Sequence, residues 1–544
     1  MLFNRISINY NKYMKRPNIL FITTDQQRYD TLNCAGYDYM VTPNLDELAN
    51  EGCLFTHAFS NNPVCIPARH NILTGLGCKH HTFDDNYFDD SHQIPYELPT
   101  FAQCLSDNGY DTIAIGKMHF QPYRRHNGFH RLYLMDEIPR YREEDDYAIH
   151  LKENGYEHLQ SLHGVRHMLY MQPQQSLVDE KHHGSTWVAD KTIEYLKNRS
   201  KGRPFMLWAG FIAPHPPFDV PSSYADLYKN RPIPHPTITK TPLSTLAKEN
   251  INIANYPNEK TLMRARELYY SAISFVDKQI GRILEQLKAM NELDNTFIIF
   301  TSDHGEMLGD LGTYQKFLPY DASCRIPMIM RYPNKIKPGS INHSFVDLND
   351  LFPTMMDIAG IKMPTKYDYP GESIFKNTKD RSFQFVEHQH SNRRWISVRT
   401  HEYKYNYYYG GGKEELFNMI HDINETENIF VTNPQFAKAT SISLRKKAIE
   451  MEKRHGLSEG IKKGDFVKYE DFEIHFYREC NPPFFPAHLS NQKEKDQLWS
   501  LEKELELAIE NEEVVDLNLL DKEYFSKKLD IKEIEKIQEK RNLR

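Results

Sequence analysis

The segment Cys65-Ile66-Pro67-Ala68-Arg69, followed by Leu73-Thr74-Gly75, carries the strongest chemical signal in the chain. Pro67 suits the first turn of a helix, where its missing N–H costs nothing, and Arg69–Leu76 can continue that helix. Cys65 then stands at a helix N-terminus. Free backbone N–H groups and the macrodipole favour an anion there, whether a thiolate, a sulfate or a phosphate. A lone cysteine before a proline is more often a buried packing residue, so the motif gains weight only from its surroundings. Those surroundings are ionisable residues that end apolar runs. Asp25 ends Pro17–Asp25, Lys117 and His119 end Tyr110–His119, His215 ends Arg203–His215, and Asp303 with His304 ends Asn295–His304. Lys316 follows on the loop after Asp303. Two carboxylates facing each other, Asp25 and Asp303, repel unless a cation stands between them. Lysines and histidines gathered at the same place would bind an anion and handle protons.

These residues need elements to bring them together. Continuous apolar runs of this length read as strands buried on both faces, in a sheet sandwiched by helices. Ligands bind beyond the carboxyl ends of such strands. The reading therefore places Asp25, Lys117, His119, His215, Asp303 and His304 at one edge, with Arg28 near Asp25. Helices alternate with the strands. They are predicted over Asn44–Glu51, over Leu98–Asn108, and over about Thr261–Met290 with its stripe of Leu268, Ala272, Phe275, Val276, Ile280, Ile283, Leu284 and Leu287. The alternation argues for an α/β fold. In Arg381–Met419, the alternating stretch WISVRTHEYKYNYYY turns at Gly410–Gly412, which predicts a small antiparallel sheet. Beyond about Asn433 the chain is highly charged, and Glu502–Arg544 reads as a solvated surface helix or a frayed tail, with an oligomerisation arm as the sharper reading. The expected division is residues 14–380 as a catalytic domain, 381–432 as a small α+β subdomain, and 433–544 as a charged, mostly helical extension.

Composition bounds the partners. The 544 residues carry a formal net charge of −7, which offers no basic footprint for nucleic acid. The seven cysteines are odd in number and form no CxxC pair, which argues against a disulfide framework and a thiolate zinc site. A reducing compartment follows. The opening MLFNRISINYNKYMKRPNILF has no apolar core of a secretory signal, and no run reaches the roughly 20 apolar residues of a membrane span. The expectation is a cytoplasmic protein with no membrane partner.

Cys-x-Pro-x-Arg followed by Leu-Thr-Gly resembles the signature of the sulfatases in the alkaline phosphatase superfamily. The resemblance covers roughly Pro17 to Asn428. It includes, in the family's order, PNILFITTDQQRYD, TPNLDELANEG, the Cys65 motif, GYDTIAIGKMHF, APHPPF, FTSDHGEMLGD and ISVRTHEYKYNYYYGGGKEELFNM. It implies an alkaline-phosphatase-like fold: a large, mixed, mostly parallel sheet flanked by helices, with a small C-terminal antiparallel sheet. It also implies a maturase that oxidises Cys65 to formylglycine, and one divalent metal. The implied metal ligands are Asp25, Asp303, His304 and the oxygen on modified Cys65, with Gln26 in the same set. Arg69 and Lys117 would steady the formylglycine. His215 and Lys316 would grip the sulfate, one of them serving the leaving oxygen. His119 would be the base that collapses the hemiacetal, and Asn86 would touch the bound ester. Gln26 stands where many members carry Asp, and His304 where many carry Asn. That variant is similar to choline-sulfatase-like and phosphonate monoester hydrolase members. Calcium is the usual family metal, whereas an imidazole ligand suits manganese better.

The expected activity is release of inorganic sulfate from a small sulfate ester. A phosphonate monoester or phosphodiester would fit the same contacts. A non-catalytic metal-binding relative is the third reading, and the complete residue set counts against it. The Tyr- and His-rich stretches Tyr141–His183 and Tyr224–Tyr256 are expected to wall the pocket. Asn481–Leu489 (NPPFFPAHL) is expected to pack on the core or on another subunit, which leaves a homo-oligomer open.

Overall fold

A computed structural model describes residues 16–474, except 140, 157–158, 160–161, 165–170, 172, 252–253, 255, 257 and 377–380. The segment Asn481–Leu489 and the arm Glu502–Arg544 lie outside the described residues. The long apolar runs become the central strands of one large sheet. In chain order its members are β1 (Asn18–Asp25), β2 (Cys53–Phe59), β3 (Asp111–Gly116), β4 (Arg131–Leu134), β5 (Phe205–Pro214), β6 (Thr296–Ser302), β7 (Arg325–Ile326), β8 (Met328–Arg331) and β9 (Ser340–Asp347). The spatial order is β9-β2-β8-β6-β1-β5-β3-β4, with β7 paired to β2. β1 runs parallel to β5 and β6, and β3 parallel to β5 and β4. β8 is antiparallel to β2 and β6. The sheet is thus mixed and mostly parallel.

Each face of β1 packs into its own core. Ile19 and Phe21 join Trp208 and the helices α2 (Cys65–Thr74) and α3 (Phe101–Asp107) on one side. Leu20 and Ile22 meet α1 (Pro43–Asn50) and α4 (Glu259–Ala289) on the other. Burial on both faces explains why β1 reads as unbroken apolar sequence rather than an alternation.

Helix ends differ from the sequence reading, three of them by two residues or more. α3 starts at Phe101, not Leu98, because Pro99 disfavours a helical Leu98 and the Thr100 side chain accepts from Gln103 N. α2 stops at Thr74 because Gly75 turns left-handed at φ 69°. α4 begins at Glu259, capped by Asn258.

Strands β10 (Gln384–His388), β11 (Trp395–Arg399), β12 (Tyr403–Tyr408) and β13 (Lys413–Asn418) form an antiparallel meander in that order. One face, with Val386, Trp395, Tyr408 and Phe417, packs on Phe59, Leu318, Tyr320 and Phe345 of the larger body. The other holds α5 (Pro434–Arg454) through Ala437, Leu444 and Ala448. Asn433, where the charged extension is expected to begin, is the N-cap of α5.

Candidate active site

Strand ends gather the ionisable residues at one edge. β1 delivers Asp25, β6 leads into Asp303 and His304, β3 into Lys117 and His119, and β5 into His215. Lys117 can rise into the site because β3 and β5 approach closely at paired glycines. Gly116 sits at φ 92°, and a Cβ there would meet Gly210 O at 2.0 Å. Helix α2 points its N-terminus into the cluster. Its N-cap Val64 offers no side-chain cap; instead Ile66 N donates to Asn86 Oδ1 at 2.9 Å. Asn86 therefore lies against the residue after Cys65.

Cys65 is fully buried. Its Sγ lies 3.1 Å from His304 Nε2, 3.2 Å from Lys316 Nζ and 3.7 Å from Asp25 Oδ1. Arg69, one turn along α2, bridges the two carboxylates: NH2 donates to Asp25 Oδ2 at 3.1 Å and Nε to Asp303 Oδ2 at 2.9 Å. That arrangement turns both Oδ1 atoms inward. They lie 3.8 Å (Asp25) and 3.7 Å (Asp303) from His304 Nε2. One donor atom from each of Asp25, Cys65, Asp303 and His304 lies within 4.8 Å of the others, all buried. Two hard oxygens, an imidazole nitrogen and residue 65 make a donor set that fits a divalent cation. Gln26 is close by, but its Oε1 accepts from Lys316 Nζ at 2.7 Å and its Nε2 donates to Glu306. Its amide is thus committed to those two neighbours.

The electrostatics are those of a dense buried charge cluster. Burial alone would raise the Asp25 carboxyl, but Lys117 (Nζ at 2.6 Å), His215, Arg69 and His304 hold it well below its ordinary range. Burial, and then Asp25, push the Cys65 thiol up to about 12, against the pull of Lys117 and Lys316. Lys117 is held above its usual value: burial opposes its charge, but Asp25, Cys65 and Glu137 favour it more. Burial, then Lys117, drive the His119 imidazole well below its ordinary value. Burial likewise lowers His215, with Glu137 opposing.

Two carboxylates here are absent from the sequence reading. Glu137 Oε2 lies 3.0 Å from His215 Nε2, and its Oε1 lies 3.5 Å from Lys117 Nζ. Glu306 accepts from Leu308 N at 2.8 Å and Gln315 N at 2.5 Å, holding the loop that presents Lys316. Glu137 follows β4, a four-residue edge strand whose alternating exposure hides it from a search for apolar runs. Glu306 sits three residues beyond Asp303, inside a motif the sequence flags without giving this residue a task. Arg28 pairs with Asp30 and Asp310 rather than with Asp25, because the chain turns away after β1.

Comparison with known proteins follows this geometry. The sulfatase family profile matches residues 17–361, and that of the N-sulphoglucosamine sulphohydrolase C-terminal region matches 309–454. An arylsulfatase of Clostridium perfringens is 31% identical over 474 residues, covering 83% of this chain and 97% of that protein. An N-acetylglucosamine-6-O-sulfatase of Bacteroides thetaiotaomicron is 28% identical over 495 residues, covering 76% of this chain and 83% of that protein. The crystal structure of a phosphonate monoester hydrolase of Agrobacterium radiobacter superposes with a TM-score of 0.69 at 22% identity, over 84% of this chain and 100% of that one. That last likeness is one of fold.

Proposed function

Because the chain belongs to the sulfatase family and is a sulfuric ester hydrolase, we propose that it acts on a small sulfate ester through formylglycine at position 65 beside a divalent metal. The observation that carries this reading is the setting of Cys65. Its thiol faces His304, Lys316 and Asp25 within 3.7 Å, at the end of a helix whose first amides no side chain of its own cap covers. Burial, and then Asp25, push the thiol up, which disfavours attack by the unmodified sulfur. Oxidised and hydrated, the side chain would offer two hydroxyls on one carbon, one to attack sulfur and one to expel sulfate by C–O cleavage. Asp25, Asp303, His304 and residue 65 would hold the metal, with Gln26 beside them. Its Lewis acidity would lower the pKa of the attacking hydroxyl. Calcium follows from the family, and the imidazole of His304 argues for manganese as the rival.

The chain's own groups do the remaining work. Arg69 fixes both carboxylates and donates to Lys117 O at 2.5 Å, tying α2 to the end of β3. Lys117 and Lys316 neutralise charge on the sulfuryl oxygens. His215 presents Nε2 to the leaving oxygen. His119, whose imidazole burial drives well below its ordinary value and whose Nδ1 has no hydrogen-bond partner among the described residues, fits the base that takes the proton of the second hydroxyl. Asn86, which accepts from Ile66 N at 2.9 Å, is the proposed further contact to the ester.

The reading extends to the surroundings. All six cysteines among the described residues are free, and no described helix is long and apolar enough to cross a membrane. The free cysteines suit a reducing compartment, and the proposal extends to a cytoplasmic enzyme, activated by a maturase, whose small ester is imported or generated inside the cell. The test is a panel of matched sulfate, phosphonate and phosphodiester esters of one alcohol, with aldehyde-bearing protein. The sulfate ester should give the highest kcat/KM. A higher value for the phosphonate ester would favour the rival reading suggested by the Gln26 and His304 variant.

A further inference from the structure

We propose that Glu137 is a positioning residue that lets His215 take up a proton when the ester binds and hold it as the acid for the leaving oxygen, and that the site is thereby built for esters of poor leaving groups, alkyl rather than aryl sulfates. This rests on the functional reading above.

A carboxylate is an odd neighbour for a sulfate. Glu137 is almost fully buried, at 4% exposure, and at this distance in a low-dielectric site its charge repels an anion. Its position is explained by what it does to an imidazole. His215 Nδ1 lies 2.6 Å from Pro216 O, so that nitrogen carries a hydrogen and donates it. Any proton on Nε2 therefore makes the ring an imidazolium. Two groups of opposite sign face Nε2: Lys316 Nζ at 2.9 Å and Glu137 Oε2 at 3.0 Å. Burial opposes the charged ring most strongly; farther off, Lys117 also opposes it and Asp25 favours it. His163, His183 and Asp219 line a small cavity together with His215.

The balance shifts when an ester arrives. Without it, Lys316 lies within hydrogen-bond reach of His215, of Gln26 Oε1 at 2.7 Å and of Cys65 Sγ at 3.2 Å. Sulfuryl oxygens accept from Lys316 and Lys117, which removes the two ammoniums that disfavour the imidazolium, while Glu137 stays in place. His215 then takes a proton from solvent and holds it against the leaving oxygen. As the attacking oxygen of residue 65, already deprotonated to solvent, forms its bond to sulfur, the bond from sulfur to the leaving oxygen breaks. Its electron pair goes to that oxygen, which takes the Nε2 proton. The ring is left neutral and Glu137 remains a carboxylate throughout.

A phenol leaves as phenoxide with little help, whereas an alkoxide needs that proton. The pair therefore matters only for poor leaving groups. The test compares the wild type with Glu137→Gln and Glu137→Asp on N-acetylglucosamine 6-sulfate and on 4-nitrophenyl sulfate, each variant scored against the wild type on the same ester. Glu137→Gln should lose about 100-fold in kcat on the sugar ester and less than about 3-fold on the aryl ester, since general acid assistance is worth roughly 10²–10⁴ where it is needed. The basic limb of its kcat–pH profile on the sugar ester should move to lower pH, and Glu137→Asp should recover most of the rate. Equal losses on both esters, or none on the sugar ester, would overturn the proposal. The Asp variant guards against mere misfolding of the Gln variant. A wild type with confirmed aldehyde that cleaves neither ester overturns the functional reading, and this inference with it.

Discussion

Cys65 shows how burial and chemistry can conflict at a single residue. The pocket that raises its thiol to about 12 also surrounds it with cations and would-be metal ligands, which makes sense for an oxygen nucleophile and poor sense for a sulfur one. Replacing it by serine keeps a hydroxyl but removes the second oxygen on the same carbon. Cys65→Ser should therefore give at most one turnover, with sulfate retained on the protein as a stable ester in the intact mass. Sustained multiple turnover would contradict the mechanism. At the metal, Asp25→Asn combined with Asp303→Asn should cut affinity by more than the roughly 10–100-fold that losing an outer partner costs. Metal analysis showing wild-type occupancy would refute the ligand assignment. Most of the site is legible in the sequence because its residues end unmistakable strands. Glu137 is not, since it follows a short edge strand and its value lies in a contact with His215, 78 positions away in sequence, that only the fold creates.

At the scale of elements, the site depends on β3 and β5 ending side by side. Gly210 is where a side chain cannot be fitted: a Cβ would lie 2.3 Å from Lys117 O. Gly210→Ala should push the backbone of Lys117 out of place, costing about 2–3 kcal/mol of stability and most of the activity. Thermal unfolding and kcat on one sulfate ester would check both. Unchanged activity would show that Lys117 does not need this strand geometry. The four strands β1, β3, β5 and β6 are legible because burial on both faces writes continuous apolar runs. Helix ends are less so, and α3 shows why: Pro99 and Thr100 decide its start by local backbone geometry, which periodicity does not report.

At the scale of the whole molecule, the small sheet is fastened to the larger body by buried charge. Asp321 accepts from Lys404 Nζ at 2.9 Å and faces Arg399 Nε at 3.3 Å, both on the small sheet. Burial alone would raise its carboxyl, but Arg399, Lys404 and Arg325 hold it below the ordinary range. A depressed carboxyl contributes stability that is full above the unfolded value of about 3.9 and is lost as pH falls through the folded value. The wild type should lose stability below about pH 4 through this group, and Asp321→Asn should lose that part of the slope along with about 3–5 kcal/mol at neutral pH. Urea midpoints against pH would show it, and identical profiles for the two proteins would refute the role. The small sheet is legible in the alternation of Trp395–Tyr409. The packing of α5 against it is not, because the charged composition after Asn433 masks the few small and apolar residues, Ala437, Leu444 and Ala448, that form its buried stripe.

The account stands or falls at residue 65. Mass spectrometry of the peptide containing Cys65, from protein produced together with a maturase, measures its oxidation state directly, and sulfate release can be assayed on the same sample. The account predicts that the aldehyde is present and that sulfate turnover rises in proportion to the aldehyde fraction across preparations. Full sulfate turnover from protein whose Cys65 is entirely an unmodified thiol would contradict it.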